Sequence, residues 1–308
     1  MLGKFWLSKF GLIKASRSDQ KIGALFRFLW VSFVEVGCLL MAQLFSMLKQ
    51  FAISPTAEIH ESVVFGPNCV DISIGHGTRI RAGTYIDVPK LSIGDYVTIS
   101  PGVVIHGQEI AIGHNCWIGQ YSILDGHGGL LFVGNNVGIG AHSQLWSHMK
   151  FGDRLDGCRW YRMSDLIIED DVWLVGHCLV TPIVARAKSM LMLGGLATHD
   201  MEANQIYAGS PAINVTDKFG SQFEAIPLEK KRIIFHSYLE EFHKLGNAID
   251  SFLILEGVNS PLMTNKTYFD LESRQYFPTY SDIETKFVRF MLYDRAKFLP
   301  AYRPNAGL

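Results

Sequence analysis

The chain has no excess of either charge. Among its 308 residues, 28 Lys and Arg stand against 29 Asp and Glu, a formal net charge of −1. That balance gives no electrostatic footprint for nucleic acid. Cysteine is scarce and badly spaced for a cage: Cys38, Cys69, Cys116, Cys158 and Cys178 are odd in number and contain no C-x-x-C pair. They read as buried or incidental thiols in a reducing compartment, not as a disulfide framework. No small-residue cleavage site follows a short apolar core near the start, which argues against a signal peptide. Charge is nearly missing between Phe28 and Leu48, where Glu35 is the only formal charge. Such a stretch is long enough to span a bilayer, but a carboxylate near its middle costs about 2.5 to 3.5 kcal/mol on insertion scales. We expect residues 1–55 to be an apolar helical N-terminal segment, with residues 28–48 packed on the protein or lying in a membrane interface.

The middle of the chain also lacks both common periodicities, the two-residue alternation of a half-buried strand and the 3.6-residue repeat of an amphipathic helix. A period of six is present instead. It joins Ile74, Ile80 and Ile86; Ile93, Ile99 and Ile105; Ile112, Ile118 and Leu124; Val133, Ile139 and Leu145; and Ile168, Leu174 and Val180. Three hexads that each form a short strand and a corner close one triangular turn of a parallel β-helix, with the leading aliphatics pointing inward. Successive triplets start 19, 19, 21 and 35 residues apart. Small corner insertions account for the first three intervals, and residues 149–165 form a long insertion in the last. Gly follows the leading aliphatic in Ile74-Gly75, Ile93-Gly94, Ile112-Gly113 and Val133-Gly134, where a corner requires permissive backbone angles or close approach of adjacent turns. The next positions, His76, Asp95, His114, Asn135 and Asp170, form a column suited to satisfying turn backbone groups.

Past Val215 the hexads stop. Pro227 and Glu229 followed by an apolar stripe through Ile233, Tyr238, Phe242 and Leu245, with Gly246 as stop, predict one helix. Ser281 and Glu284 form a capping box before a second helix that Pro300 is expected to end. Ser251 to Leu255 and Thr267 to Phe277 read as strands. The domain plan is therefore residues 1–55, a β-helix over 56–215 and a C-terminal α/β appendix over 216–308.

Asn136-Val137-Gly138-Ile139-Gly140, then Leu145-Trp146-Ser147-His148, the insertion, Asp170-Asp171-Val172-Trp173-Leu174-Val175-Gly176 and finally Tyr207-Ala208-Gly209-Ser210-Pro211-Ala212 follow one another in order. This order resembles the hexapeptide-repeat acyltransferases, especially the maltose, galactoside and xenobiotic acetyltransferases. The resemblance spans residues 56–215. It implies a mainly β, left-handed parallel β-helix, an acyl-CoA cosubstrate (acetyl-CoA or another), no metal, a homotrimer and a cytoplasmic location. Because that cofactor is cytosolic, a single membrane span exporting the β-helix does not fit.

Acyl transfer from a thioester needs a base for the acceptor's proton and donors for the oxyanion, and a neutral imidazole suits the first task. His148 is the candidate base because it interrupts the repeat where the insertion begins. Asp125 is the acidic partner implied by the resemblance, in Leu124-Asp125-Gly126-His127. His127, Arg154, Asp156, Arg159 and Trp160 are candidate acceptor contacts, with charges and an aromatic platform suited to a sugar or sugar nucleotide. The resemblance also implies coenzyme A contacts at Gly176, Gly195, Thr198, His199, Ser210 and Pro211. O-acetylation of a sugar or polysaccharide precursor is the expected reaction. N-acylation of an amino sugar and a non-catalytic scaffold are the alternatives. A zinc hydratase on the same fold is disfavoured, because aligning Asn135-Asn136-Val137 with its motif puts two of its three histidine ligands on Ala141 and Trp146 and the third near Asp125, with His142 displaced by one position.

Overall fold

A computed structural model describes residues 49–255 and 265–301. The expected helical segment over residues 28–48 lies outside them. Among the described residues no helix is long and apolar enough to cross a membrane.

The period of six builds what it predicts. Three sheets of seven, nine and seven strands wind as a coil in which each strand pairs in parallel with the strand one turn later, except that the nine-stranded sheet ends in an antiparallel hairpin of Ile206–Gly209 and Ala212–Asn214. Across the first sheet Ile53, Ile74, Ile93, Ile112, Val133, Ile168 and Ala185 stand in register. Ile59 through Leu191 align likewise in the second sheet, and Phe65 through Ala197 in the third. All fifteen aliphatics of the five sequence triplets are at most 2% exposed. Stacking like on like gives one continuous apolar core, which no single turn could bury alone. The coil begins ahead of the expected boundary, because Gln50–Ile53 already pairs with Asp71–Ile74. It also continues past the five triplets, through Ala185, Leu191 and Ala197.

The corner column is a hydrogen-bonded ladder. Asp95 Oδ1 accepts from His76 N at 2.7 Å, His114 Nδ1 from Asp95 N at 2.9 Å, Asn135 Oδ1 from His114 N at 2.9 Å and Asp170 Oδ1 from Asn135 N at 2.7 Å. Each side chain satisfies a corner N–H of the preceding turn, which would otherwise be stranded at partial burial. The preceding glycines are needed for close approach: a Cβ on Gly113 would meet Gly134 O and Asn135 Oδ1 at 2.7 Å. The left-handed backbone angles fall one residue beyond the ladder, at Tyr96, Asn115, Asn136 and Asp171.

The appendix has its own aromatic core around Phe235, Phe269, Phe287 and Phe298, to which the coil contributes Tyr96. Helix α1 (Leu228–Lys244) and helix α2 (Asp282–Met291) cover a four-stranded sheet. Thr267 to Phe277 is a hairpin of Thr267–Asp270 and Gln275–Phe277 instead of one strand. Pro300 does not end α2. The helix stops at Met291 because Leu292, Ala296 and Phe298 turn into the aromatic core, and Pro300 lies in the short edge strand Leu299–Pro300. The capping box is half formed: Ser281 Oγ accepts from Glu284 N, but the buried Glu284 carboxylate turns to Thr267 Oγ1 at 2.6 Å and Thr279 N at 2.6 Å. The appendix docks along the coil corner. Asn115 Nδ2 donates to Phe298 O, Lys297 Nζ to Asn136 O, and Arg289 pairs with Glu58 at 2.8 Å.

Candidate active site

The third sheet's leading aliphatics are each followed by a residue that faces outward at the next corner. Asp87, His106, Asp125 and Trp146 therefore align in register from turn to turn. Asp125 sits in the middle of this column and is 2% exposed. A buried carboxylate needs partners, and three imidazoles supply them. His127 Nδ1 lies 2.9 Å from Asp125 Oδ1, His148 Nε2 3.3 Å from Oδ2, and His106 Nε2 3.4 Å from Oδ2. The backbone N–H of His127 also donates to Oδ1 at 2.9 Å. Burial alone raises the Asp125 pKa, but the His127 backbone and ring donors and the nearby positive charge of His106 and His127 outweigh it, so the carboxyl stays below its ordinary 3.8 and is ionised at neutral pH.

The sequence pair Asp125 and His148 is thus brought into contact. His127 joins them, its side chain 41% exposed against 17% for His148. His148 Nδ1 is buried without a hydrogen-bond partner, so Nε2 is the nitrogen that faces the carboxylate. The fully buried Ser147 holds the neighbouring backbone by accepting from Gly128 N at 2.7 Å. His106 was missed by sequence reasoning, although its place was legible: it follows Ile105 as Asp125 follows Leu124. His142 lies on another corner, stacked between Tyr121 and His177 at 5.3 and 4.9 Å.

The insertion is a hairpin and not an irregular loop. His148–Lys150 pairs antiparallel with Tyr161–Met163, and Arg162 Nη2 ties the root to Pro182 O at 2.6 Å. At the tip Asp153 Oδ1 accepts from Leu155 N and Asp156 N, closing the turn. Arg154 lies over the Tyr161 ring at 4.6 Å, and Trp160 is 77% exposed. Among the described residues, Arg154, Asp156, Arg159 and Trp160 make no hydrogen bond, ion pair or ring contact with the Asp125 cluster.

The residues expected to meet coenzyme A gather at the last turns. Gly194 N donates to Gly176 O, Gly195 stands next in line, and Met192 N donates to Tyr207 O just before the turn that carries Ser210 and Pro211. Thr198 and His199 lie at the following corner, hydrogen-bonded to each other at 2.9 Å. Gly176 has a φ of +152°, and Leu193 beside it is 66% exposed.

No family model matches the chain, and no curated protein matches it. Among solved structures it is similar to AntD, an N-acyltransferase from Bacillus cereus complexed with a dTDP amino sugar and coenzyme A. That match has 16% identity over 67% of this chain and 96% of that one, with a TM-score of 0.38. The polysialic acid O-acetyltransferase OatWY matches at 16% identity over 54% and 83%, with a TM-score of 0.36. A hexapeptide-repeat acetyltransferase of Vibrio cholerae O1 biovar eltor, complexed with acetyl coenzyme A, matches at 17% identity over 55% and 72%, with a TM-score of 0.25. These neighbours are acyltransferases, the class that the sequence resembles. The chain's own three-strand turns show the hexapeptide-repeat fold. At such identities and TM-scores the likeness carries neither a residue role nor an acceptor to this chain.

The buried and half-buried imidazoles make stability depend on pH. Desolvation holds His76, His106 and His114 below the ordinary imidazole value of 6.5, against the opposing pull of nearby carboxylates. The unfolded chain therefore takes up protons first as pH falls, so this stabilisation is complete above the unfolded value and is lost below it. The melting temperature should fall between about pH 7 and about pH 5. A flat profile in differential scanning calorimetry over that range would contradict the assignment.

Proposed function

We propose that this protein is an acyl-CoA-dependent acyltransferase that acetylates a hydroxyl of a sugar or polysaccharide precursor. The carrying observation is the buried, ionised Asp125 in contact with His148 at the root of the hairpin that interrupts the coil. With Nε2–H held by Asp125 Oδ2 at 3.3 Å, the ring nitrogen left to take the acceptor hydroxyl's proton would be Nδ1, which has no hydrogen-bond partner among the described residues, and the acceptor oxygen would attack the thioester carbonyl. Asp125 would stabilise the imidazolium that forms. Collapse of the tetrahedral adduct breaks the carbon–sulfur bond, and the imidazolium returns the proton to the departing thiolate of coenzyme A. Gly176, Gly195, Thr198, His199, Ser210 and Pro211 would contact that cosubstrate along the last turns.

A specific observation favours a second assignment of the base within the same reaction. His127 is anchored through Nδ1 by Asp125 at 2.9 Å and is the most exposed of the three imidazoles, leaving its outer nitrogen open. An amine acceptor on an amino sugar fits the same site, and a panel of hydroxyl and amine acceptors with acetyl-CoA separates O- from N-transfer. Failure of acetyl-CoA to bind at all would leave the non-catalytic scaffold.

The hairpin would choose the acceptor while the regular turns hold the donor, since a hairpin rooted at the base can carry polar and aromatic side chains without disturbing the coil. Replacing Arg154, Arg159 and Trp160 together by Ala should raise the acceptor KM or lower kcat/KM about tenfold or more and leave acetyl-CoA binding unchanged. If calorimetry showed coenzyme A binding abolished with acceptor binding intact, donor and acceptor ends would be reversed.

A homotrimer completes the proposal. The outward face of the third sheet exposes Val64, Tyr85 and Leu179, and Val104 and Ile123 share that face. Flat apolar faces of this kind are covered by symmetric partners. Light scattering should give three times the chain mass of 34.5 kDa, and a fully active monomer would exclude it.

A further inference from the structure

We propose that His106, Asp125 and His127 form a binding site for a divalent transition-metal ion of the Zn²⁺ type, and that an ion bound there silences acyl transfer. His106 has no part in the transfer chemistry above, yet its ring is turned toward the same carboxylate. One donor atom from each of the three residues lies within 4.8 Å of the other two. Two imidazole nitrogens and a carboxylate oxygen are the donor set of a borderline ion.

The spacing fits as well. An ion held tetrahedrally with bonds of about 2.0 to 2.1 Å keeps its donors about 3.3 Å apart. His106 Nε2 stands 3.4 Å from Asp125 Oδ2 and His127 Nδ1 2.9 Å from Oδ1, so the two rings approach the two oxygens of one carboxylate, and rotation of the carboxylate and rings would bring the donors onto one ion. The rings of His106 and His127 meet edge to face at 4.9 Å and 70°, which points both nitrogens at one carboxylate without stacking the rings face to face. The half-exposed His127 provides the way in, and a water can take the fourth position. His148 Nε2, 3.3 Å from Oδ2, would remain a partner of the ligating carboxylate.

Two of the three donors sit on strands of the regular coil: His106 is in Val104–Gly107 and Asp125 in Ile123–Gly126, paired in register, and His127 follows in the turn with its backbone N–H tied to Asp125 Oδ1. The donors are therefore held by the scaffold before any ion arrives. An ion would occupy the carboxylate lone pairs that orient the base and the nitrogen through which His127 is fixed. Silencing rests on the function proposed above; binding does not.

The test uses the full chain stripped with a chelator and titrated with Zn²⁺ alone by calorimetry, with Co²⁺ as a spectroscopic probe. The expected result is one Zn²⁺ per chain with a dissociation constant in the micromolar range or tighter, and visible Co²⁺ bands of a four-coordinate site. His106→Ala should weaken binding by at least tenfold while its melting curve stays near that of the parent. Added Zn²⁺ should inhibit the parent at concentrations that leave His106→Ala active. Absence of saturable binding, or binding unchanged in both His106→Ala and His127→Ala, would overturn the site. Tight binding with full activity would overturn the silencing and keep the site. Tight binding in a protein that transfers no acyl group in chelator would instead count against the proposed function.

Discussion

His148→Ala should lower turnover by roughly 10²-fold or more, the scale for losing a general base, while the affinity for acetyl-CoA stays within a few-fold. The two halves of that expectation have separate structural causes. His148 contributes its Nε2 to the pair with Asp125 at 3.3 Å, whereas the donor groove is proposed at the later turns around Gly176 and Gly195. The fold should survive the change. His148 lies at the first position of the hairpin and is not one of the inward aliphatics of the coil core. Steady-state kinetics with saturating acetyl-CoA measure the first half, and calorimetry the second. A mild His148→Ala beside a crippled His127→Ala would move the base to the ring that Asp125 anchors through Nδ1.

Asp125→Asn should also be severe, with turnover down by on the order of 10² to 10⁴-fold. The substitution keeps the shape and one acceptor oxygen for the His127 N–H, so the turn should hold. It removes the negative charge that the three neighbouring imidazoles share at 2.9, 3.3 and 3.4 Å. An imidazolium without its carboxylate is less stable, so the base's pKa should fall and the acidic limb of kcat/KM should move to lower pH. That direction separates charge from shape: a role confined to folding would lower activity without displacing the limb. A limb unmoved, or moved to higher pH, would remove Asp125 from the proton transfer.

The coil was legible because its repeat is a steric requirement. Ile80, Ile99, Ile118, Ile139 and Leu174 must stand one above another for any of them to leave water, so the sequence alone determined the parallel stacking, the register and the place of the long insertion. The corner column was readable for a similar reason, since His76, Asp95, His114, Asn135 and Asp170 recur at one position and the last four each meet one N–H of the preceding turn. Asp125 and His148 were identified from the order of motifs, which names residues but gives no distances. Only the tertiary structure decided that His106, Asp125, His127 and His148 converge, because they lie on successive turns and at a hairpin root, and hexad spacing does not say which way a corner side chain leans. It also decided the end of α2, where burial of Leu292 and Phe298 in a distant aromatic core overrode the local expectation that the helix runs to Pro300. Local pattern determines what each turn contributes, while convergence of side chains depends on contacts between residues far apart in the chain.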